Sequence, residues 1–141
     1  MDEKIAEYFA AVITTAASIF ENCAHEQDCT PERAILQLHG EYGSCKILIT
    51  ELFSDKLRKY RYYVLQGNRV EAGFDNAPDP RAIRMKYGKI GKEHAGENIP
   101  HLHLEDKTEM VLTEEMMFSD FVEWLQKNRL QAIEKRKDGE S

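Results

Sequence analysis

Near the start of the chain, apolar residues recur at three- and four-residue steps: Ile5, Phe9, Val12, Ala16, Ile19 and Cys23. That spacing lines one face of a helix and predicts an α-helix from about residue 3 to 24. Asp2 suits the N-cap, and the acids at positions 2 and 3 suit the positive end of the helix dipole. From His25 to Pro31 the period breaks, and the helix is expected to end there. The pattern then changes to alternation. Arg33 to His39 sets Leu36 and Leu38 against Gln37 and His39, and Gly40 and Gly43 mark a turn. Cys45 to Phe53 is more continuously apolar, as a central strand covered on both faces would be. Ser54, Asp55 and Lys56 predict the next turn.

The clearest hairpin signal runs from Lys59 to Asp75. Gly67-Asn68 separates two β-rich runs and favours a two-residue primed turn. Counting back from that turn pairs Gln66 with Arg69, Leu65 with Val70, Tyr63 with Ala72 and Arg61 with Phe74. It also sets Tyr62 against Gly73 and Tyr60 against Asp75. Because strand side chains alternate, this register predicts one apolar face and one face bearing Tyr60, Tyr62, Glu71 and Asp75. A slip of one residue would undo it.

Ala77 to Pro100 is rich in Pro, Gly and charge and reads as the longest irregular stretch, with a short edge strand within Ile83 to Tyr87. Ile99 to Asp106 alternates again, Leu102 and Leu104 on one side and His101, His103 and Glu105 on the other. Ser119 is expected to cap a closing helix with Phe121, Trp124 and Leu125 buried. The reading is therefore α+β: a curled antiparallel sheet of about five or six strands packed with an N-terminal and a C-terminal helix. Residues 1–134 form one domain, and the apolar-free tail from Lys135 is expected to fray.

Composition narrows the classes. The 141 residues are 42% hydrophobic and 31% charged, which suits a globular chain rather than a disordered one. The apolar stretch within Tyr8 to Phe20 is interrupted by Thr14, Thr15 and Ser18 and is too short to span a bilayer. Acids rather than bases precede it, unlike a secretory signal, so a cytoplasmic location without membrane contact is expected. Cys23, Cys29 and Cys45 are an odd number and read as free thiols. The net charge of -6 argues against nucleic-acid binding by the whole surface. Yet Arg81, Arg84, Lys86, Lys89 and Lys92 fall in one stretch without an acid, which leaves the remainder at -11 (-6 minus 5). Such a segment can hold an anion at one place.

Two short patterns carry candidate chemistry. In the HLH of residues 101–103, a strand projects both imidazoles to one side, roughly 6–7 Å apart. His101 and His103 could act as general acid and base, or bind a divalent metal with Asp75 or Glu105 as the oxygen ligand. As an alternative, they are merely exposed strand residues. In FDNAP (Phe74 to Pro78), Asp75 ends the hairpin on its polar face, and Asn76 and Pro78 make a turn. Should the strand at 99–106 join the same sheet, Tyr60, Tyr62, Asp75, His101 and His103 would share a face beside the basic loop. Rings, imidazoles and cations together suit RNA.

The tyrosine-rich RYYVL (Arg61 to Leu65), the Gly-Asn turn, FDNAP, PHLH (Pro100 to His103) and a final helix with FVEWL resemble the TumE-type toxin family of prokaryotic toxin–antitoxin systems. The likeness covers Tyr60 to Thr113. The family pattern carries further histidines, where this chain has Asp79 and Leu102. The resemblance implies a small cytoplasmic growth inhibitor neutralised by a DNA-binding helix-turn-helix antitoxin. Joined to the residues, it gives an expected ribonuclease that needs no cofactor. His101, His103, Asp75 and Tyr62 are its catalytic candidates, and Tyr60, Asn76, Arg81, Arg84 and Lys86 its substrate-binding candidates. A metal-dependent hydrolase or nucleotidyl transferase is the rival within the enzymes, and a homodimer is left open. The other class is a non-catalytic module that binds a protein or nucleic-acid partner through its sheet and basic loop.

Overall fold

The computed structural model describes residues 3–55, 57–88 and 92–139, with side chains as far as residue 128. The order of elements is α1 (Glu3–Ile19), β1 (Glu21–Cys29), β2 (Arg33–Tyr42), β3 (Cys45–Ser54), β4 (Leu57–Gln66), β5 (Arg69–Asp75), α2 (Pro80–Tyr87), a short 3-10 turn (Lys92–His94), β6 (His101–Leu104), β7 (Glu109–Leu112) and α3 (Phe118–Gly139). The fold is α+β. Among the described residues, seven strands lie in one open antiparallel sheet in sequence order, one or two more than expected.

α1 and α3 cover one face of this sheet. Phe9, Val12 and Ala16 from α1 and Phe118, Phe121 and Leu125 from α3 join Leu36, Ile47, Ile49, Tyr62 and Phe74 in the main core. The 5.3 Å stack of Tyr62 on Phe121 and the 5.1 Å edge contact of Phe74 with Trp124 fix the seat of α3. Burying each such aromatic contributes roughly 1.5–3 kcal/mol. On the other face α2 sets Ala82 and Ile83 against Ile99, Met110 and Leu112, a smaller cluster beside β7. Among the described residues, no helix is long and apolar enough to cross a membrane.

Several sequence expectations change. α1 stops at Ile19, and the stretch read as helix end and break is β1. β1 is exposed on both faces, so it offers no alternation to detect. Asn22 turns the chain into it at φ 51°, a left-handed conformation that asparagine tolerates. The supposed edge strand at Ile83–Tyr87 is α2 instead. Asp79 caps it by accepting from the Arg81 N–H, Pro80 starts it, and Gly88 ends it at φ 78°. Ser119 does not cap α3: the helix already includes Phe118, and the Asp120 carboxylate accepts from the Met117 N–H. α3 runs as far as Gly139, and residues 140 and 141 lie outside the described residues. The N-cap role of Asp2, the turn at Lys56 and the basic Lys89 lie outside the described residues.

Candidate functional site

The β4–β5 register decides what meets what. The turn pairs Gln66 with Arg69 and Leu65 with Val70 as expected, but the next pair is Val64 with Ala72. Glu71 is thus an extra residue, a β-bulge that moves every later pair by one. Arg61 faces Asp75, Tyr62 faces Phe74 and Tyr63 faces Gly73. β6 then sets His101 opposite Asp75 and His103 opposite Gly73.

Two rows cross the sheet on the face away from α1 and α3: Arg61–Asp75–His101 and Tyr63–Gly73–His103. The expected partners Tyr60 and Tyr62 lie on the helix-covered face instead, and both are buried. The structure does not bring them to the histidines; Tyr63, one residue along, is there in their place. A glycine in the second row is required. A Cβ on Gly73 would come within 2.8 Å of the Tyr63 ring, so only glycine lets that ring lie flat across the strand. The ring then delivers its hydroxyl to Asp75 Oδ2 at 3.0 Å.

Asp75, His101 and His103 converge. His101 Nε2 stands 3.0 Å from Asp75 Oδ1 and 3.1 Å from His103 Nε2, and His103 Nε2 stands 3.4 Å from Asp75 Oδ2. His101 Nδ1 lies 2.7 Å from the Ile99 carbonyl. The Ala77 N–H donates to Asp75 Oδ1 at 2.9 Å, closing the turn after β5. His101 is 1% and His103 4% exposed, so this is a buried group rather than a solvated strand surface. Glu105 is not part of it; it lies exposed, paired with Arg69 at 3.1 Å.

The electrostatics are uneven. Burial works to raise the Asp75 carboxyl, but the hydrogen bond and charge of His101, the Ala77 N–H and the Tyr63 hydroxyl outweigh it and hold the carboxyl below its usual range. Burial likewise works to lower His101, but its bonds to Asp75 and Ile99 win and raise it. His103 goes down: burial lowers it and so do His101, Lys107 and Arg81, against the pull of Asp75. The Tyr63 hydroxyl is raised by burial and by Asp75.

The remaining candidates separate. Arg81 donates from Nη1 to the Lys107 carbonyl at 2.9 Å and lies close enough to act on His103. Arg84 and Lys86 stand exposed on α2, with Lys86 3.9 Å from Glu97. Asn76 is committed to the fold. Its Oδ1 accepts from the Tyr60 N–H at 3.1 Å and its Nδ2 donates to the Arg58 carbonyl at 2.8 Å, extending the β4–β5 ladder by a side chain.

Sequence reasoning missed three residues. Tyr63 followed from the bulge. Arg61 is exposed directly opposite Asp75. Lys107 reaches the site because Glu105, Asp106 and Lys107 all take positive φ (48°, 55° and 69°), which places its Nζ 5.1 Å from the centre of the Tyr63 ring. Asp106 Oδ1 pins that turn by accepting from the Val70 N–H at 3.1 Å.

The uncovered sheet face carries two hollows that share Gln37, Thr50 and Arg61. One, about 420 Å³, runs past His25, His39 and Leu48. The other, about 290 Å³, includes Lys59 and ends at Asp75 and Ala77. Together they form an open path across β1–β4 to the carboxylate. Comparison with protein-family models, with curated proteins and with solved structures finds no match for this chain.

Proposed function

We propose that this chain is a growth-inhibiting toxin that cuts RNA, with Asp75, His101 and His103 as its reacting centre. One observation carries the reading: a carboxylate and two imidazoles meet within 3.4 Å where a cation-bearing path on the open sheet face ends. Such a path suits a single strand, whose phosphates need cations and whose bases accept stacking. Arg61, Lys59, His39 and His25 supply positive or protonatable groups along it, and Lys107 and Arg81 supply charge beside His103. Tyr63, rather than Tyr60 or Tyr62, is the tyrosine beside the histidines, and it orients Asp75 through its hydroxyl. Positioning and charge stabilisation at a phosphodiester are what such a centre contributes. The helix-turn-helix antitoxin as partner rests on the family resemblance alone.

The test is incubation of the purified chain with single-stranded RNA, beside an equally folded His101→Gln, His103→Gln variant. The reading expects cleavage by the wild type and a loss on the order of 10²–10⁴-fold in the variant. Intact RNA with the wild type would sink it. Burial of both imidazoles favours the second reading, a module that binds RNA along the same path and blocks it by occupancy; retention of RNA without cleavage is its signature.

A further inference from the structure

Asp75, His101 and His103 bring one ligand atom each into a single buried place. Ligand atoms about 2.1 Å from one ion stand about 3.0 Å apart at right angles and about 3.4 Å apart at the tetrahedral angle. Here His101 Nε2 stands 3.0 Å from Asp75 Oδ1 and 3.1 Å from His103 Nε2, while His103 Nε2 meets the other carboxylate oxygen, Oδ2, at 3.4 Å. One ligand atom from each of the three groups lies within 4.8 Å of the others, near enough for a single ion between them.

The surroundings hold those atoms in ligating form. A carbonyl only accepts, so the Ile99 oxygen at 2.7 Å fixes a hydrogen on His101 Nδ1 and turns the Nε2 lone pair of the neutral ring inward. Asp75 is steadied by the Tyr63 hydroxyl and the Ala77 N–H, the kind of outer support that metal-bound carboxylates receive. Proton counting adds to this. With His101 neutral, one hydrogen at most, that of His103, serves three short contacts among acceptors. Placing it on Nε2 leaves His103 Nδ1 as a buried lone pair with no partner among the described residues. A positive centre is what the group lacks in that state.

We propose that Asp75, His101 and His103 form a binding site for one divalent first-row transition cation. Two imidazoles and one carboxylate suit zinc, manganese, iron, cobalt or nickel rather than calcium or magnesium. The inference deepens the ribonuclease reading and rests on the same residues. At that place a cation would neutralise phosphate charge and polarise a bound oxygen. An extra proton on His101 is the competing source of positive charge.

The experiment is titration of the chelator-treated full chain with Co²⁺, read by its visible d–d absorption, in a Cys23→Ser, Cys29→Ser background that removes the two accessible thiols. The expected result is one equivalent bound, with at least a tenfold loss of affinity in Asp75→Asn and in His103→Gln. Tyr63→Phe, which keeps the ring and all three ligands, should weaken binding about tenfold. If the ligand variants do not fold, that third variant decides. No binding at millimolar Co²⁺ overturns the proposal, as does equal affinity in Tyr63→Phe and Asp75→Asn to that of the parent. RNA cleavage by a chain that binds no Co²⁺ refutes the metal site and spares the ribonuclease. One bound equivalent with RNA left intact does the reverse.

Discussion

Two buried polar clusters lie on opposite faces of the same sheet, and they solve the problem of burying charge differently. Under α1 and α3, the Glu51 carboxylate takes an ion-paired hydrogen bond from Arg58 and another from the Tyr62 hydroxyl at 2.7 Å. Arg58 also donates to Tyr62 Oη at 2.6 Å and lies over the Tyr60 ring. Burial and the nearby Glu51 push the Tyr8 hydroxyl up to about 12. Here a guanidinium meets a carboxylate and the donors aim at acceptors, although Glu51 Oε2 and Arg58 Nε and Nη1 have no hydrogen-bond partner among the described residues. On the other face Asp75 meets two imidazoles, and with His101 neutral, acceptors face one another. The first cluster is complete in its charges and explains itself as structure. The second is poised for something positive, either a proton or a cation, and sits beside an open path. That difference, more than burial, separates an internal brace from a candidate site.

The largest expected effect lies in the brace. Arg58→Ala would leave the Glu51 carboxylate, which is 0% exposed, without its ion pair. Urea denaturation should show a loss of about 3–5 kcal/mol. A loss under about 1 kcal/mol would mean the two clusters do not differ as described. Next comes Gly73→Ala, whose new methyl would overlap the Tyr63 ring. It should cost about 1–3 kcal/mol and lower RNA cleavage with it, because the hydroxyl would leave Asp75. Tyr63→Phe removes the hydroxyl without the ring, and a stability change of about 1 kcal/mol is expected by the same denaturation measurement. The smallest effect is Lys107→Ala. Its side chain is at the surface, so stability should stay within about 0.5 kcal/mol, whereas the salt dependence of RNA binding should become shallower. An unchanged salt slope would remove Lys107 from the path.

The comparison also shows what the residue pattern could and could not carry. HLH and FDNAP were legible because a strand period of two puts His101 and His103 on one side and ends β5 at Asp75. β1 was not, since exposure on both faces erases the alternation that marks a strand. The signature of α2 was present in Asp79, Pro80 and Gly88, and the Pro-rich surroundings hid it. The bulge at Glu71 had the greatest consequence. A turn fixes register only until the first extra residue, and neither Gly67-Asn68 nor the propensities nearby report one. The cross-strand pairs do. Arg61 opposite Asp75 and Tyr62 opposite Phe74 are complementary, whereas the unbulged count sets Arg61 against Phe74 and Tyr60 against Asp75. Reading pairs rather than counting from the turn would have put Tyr63 beside the histidines.

On the proposed function, the Asp75 cluster and not the Glu51 cluster is the reacting centre. The most direct test of this assignment is growth of a bacterial host after induced expression of the wild type and of Asp75→Asn, at matched soluble levels. Arrest by the wild type and growth with the variant are expected, since the amide keeps the shape and loses the charge. Equal arrest by both would contradict it.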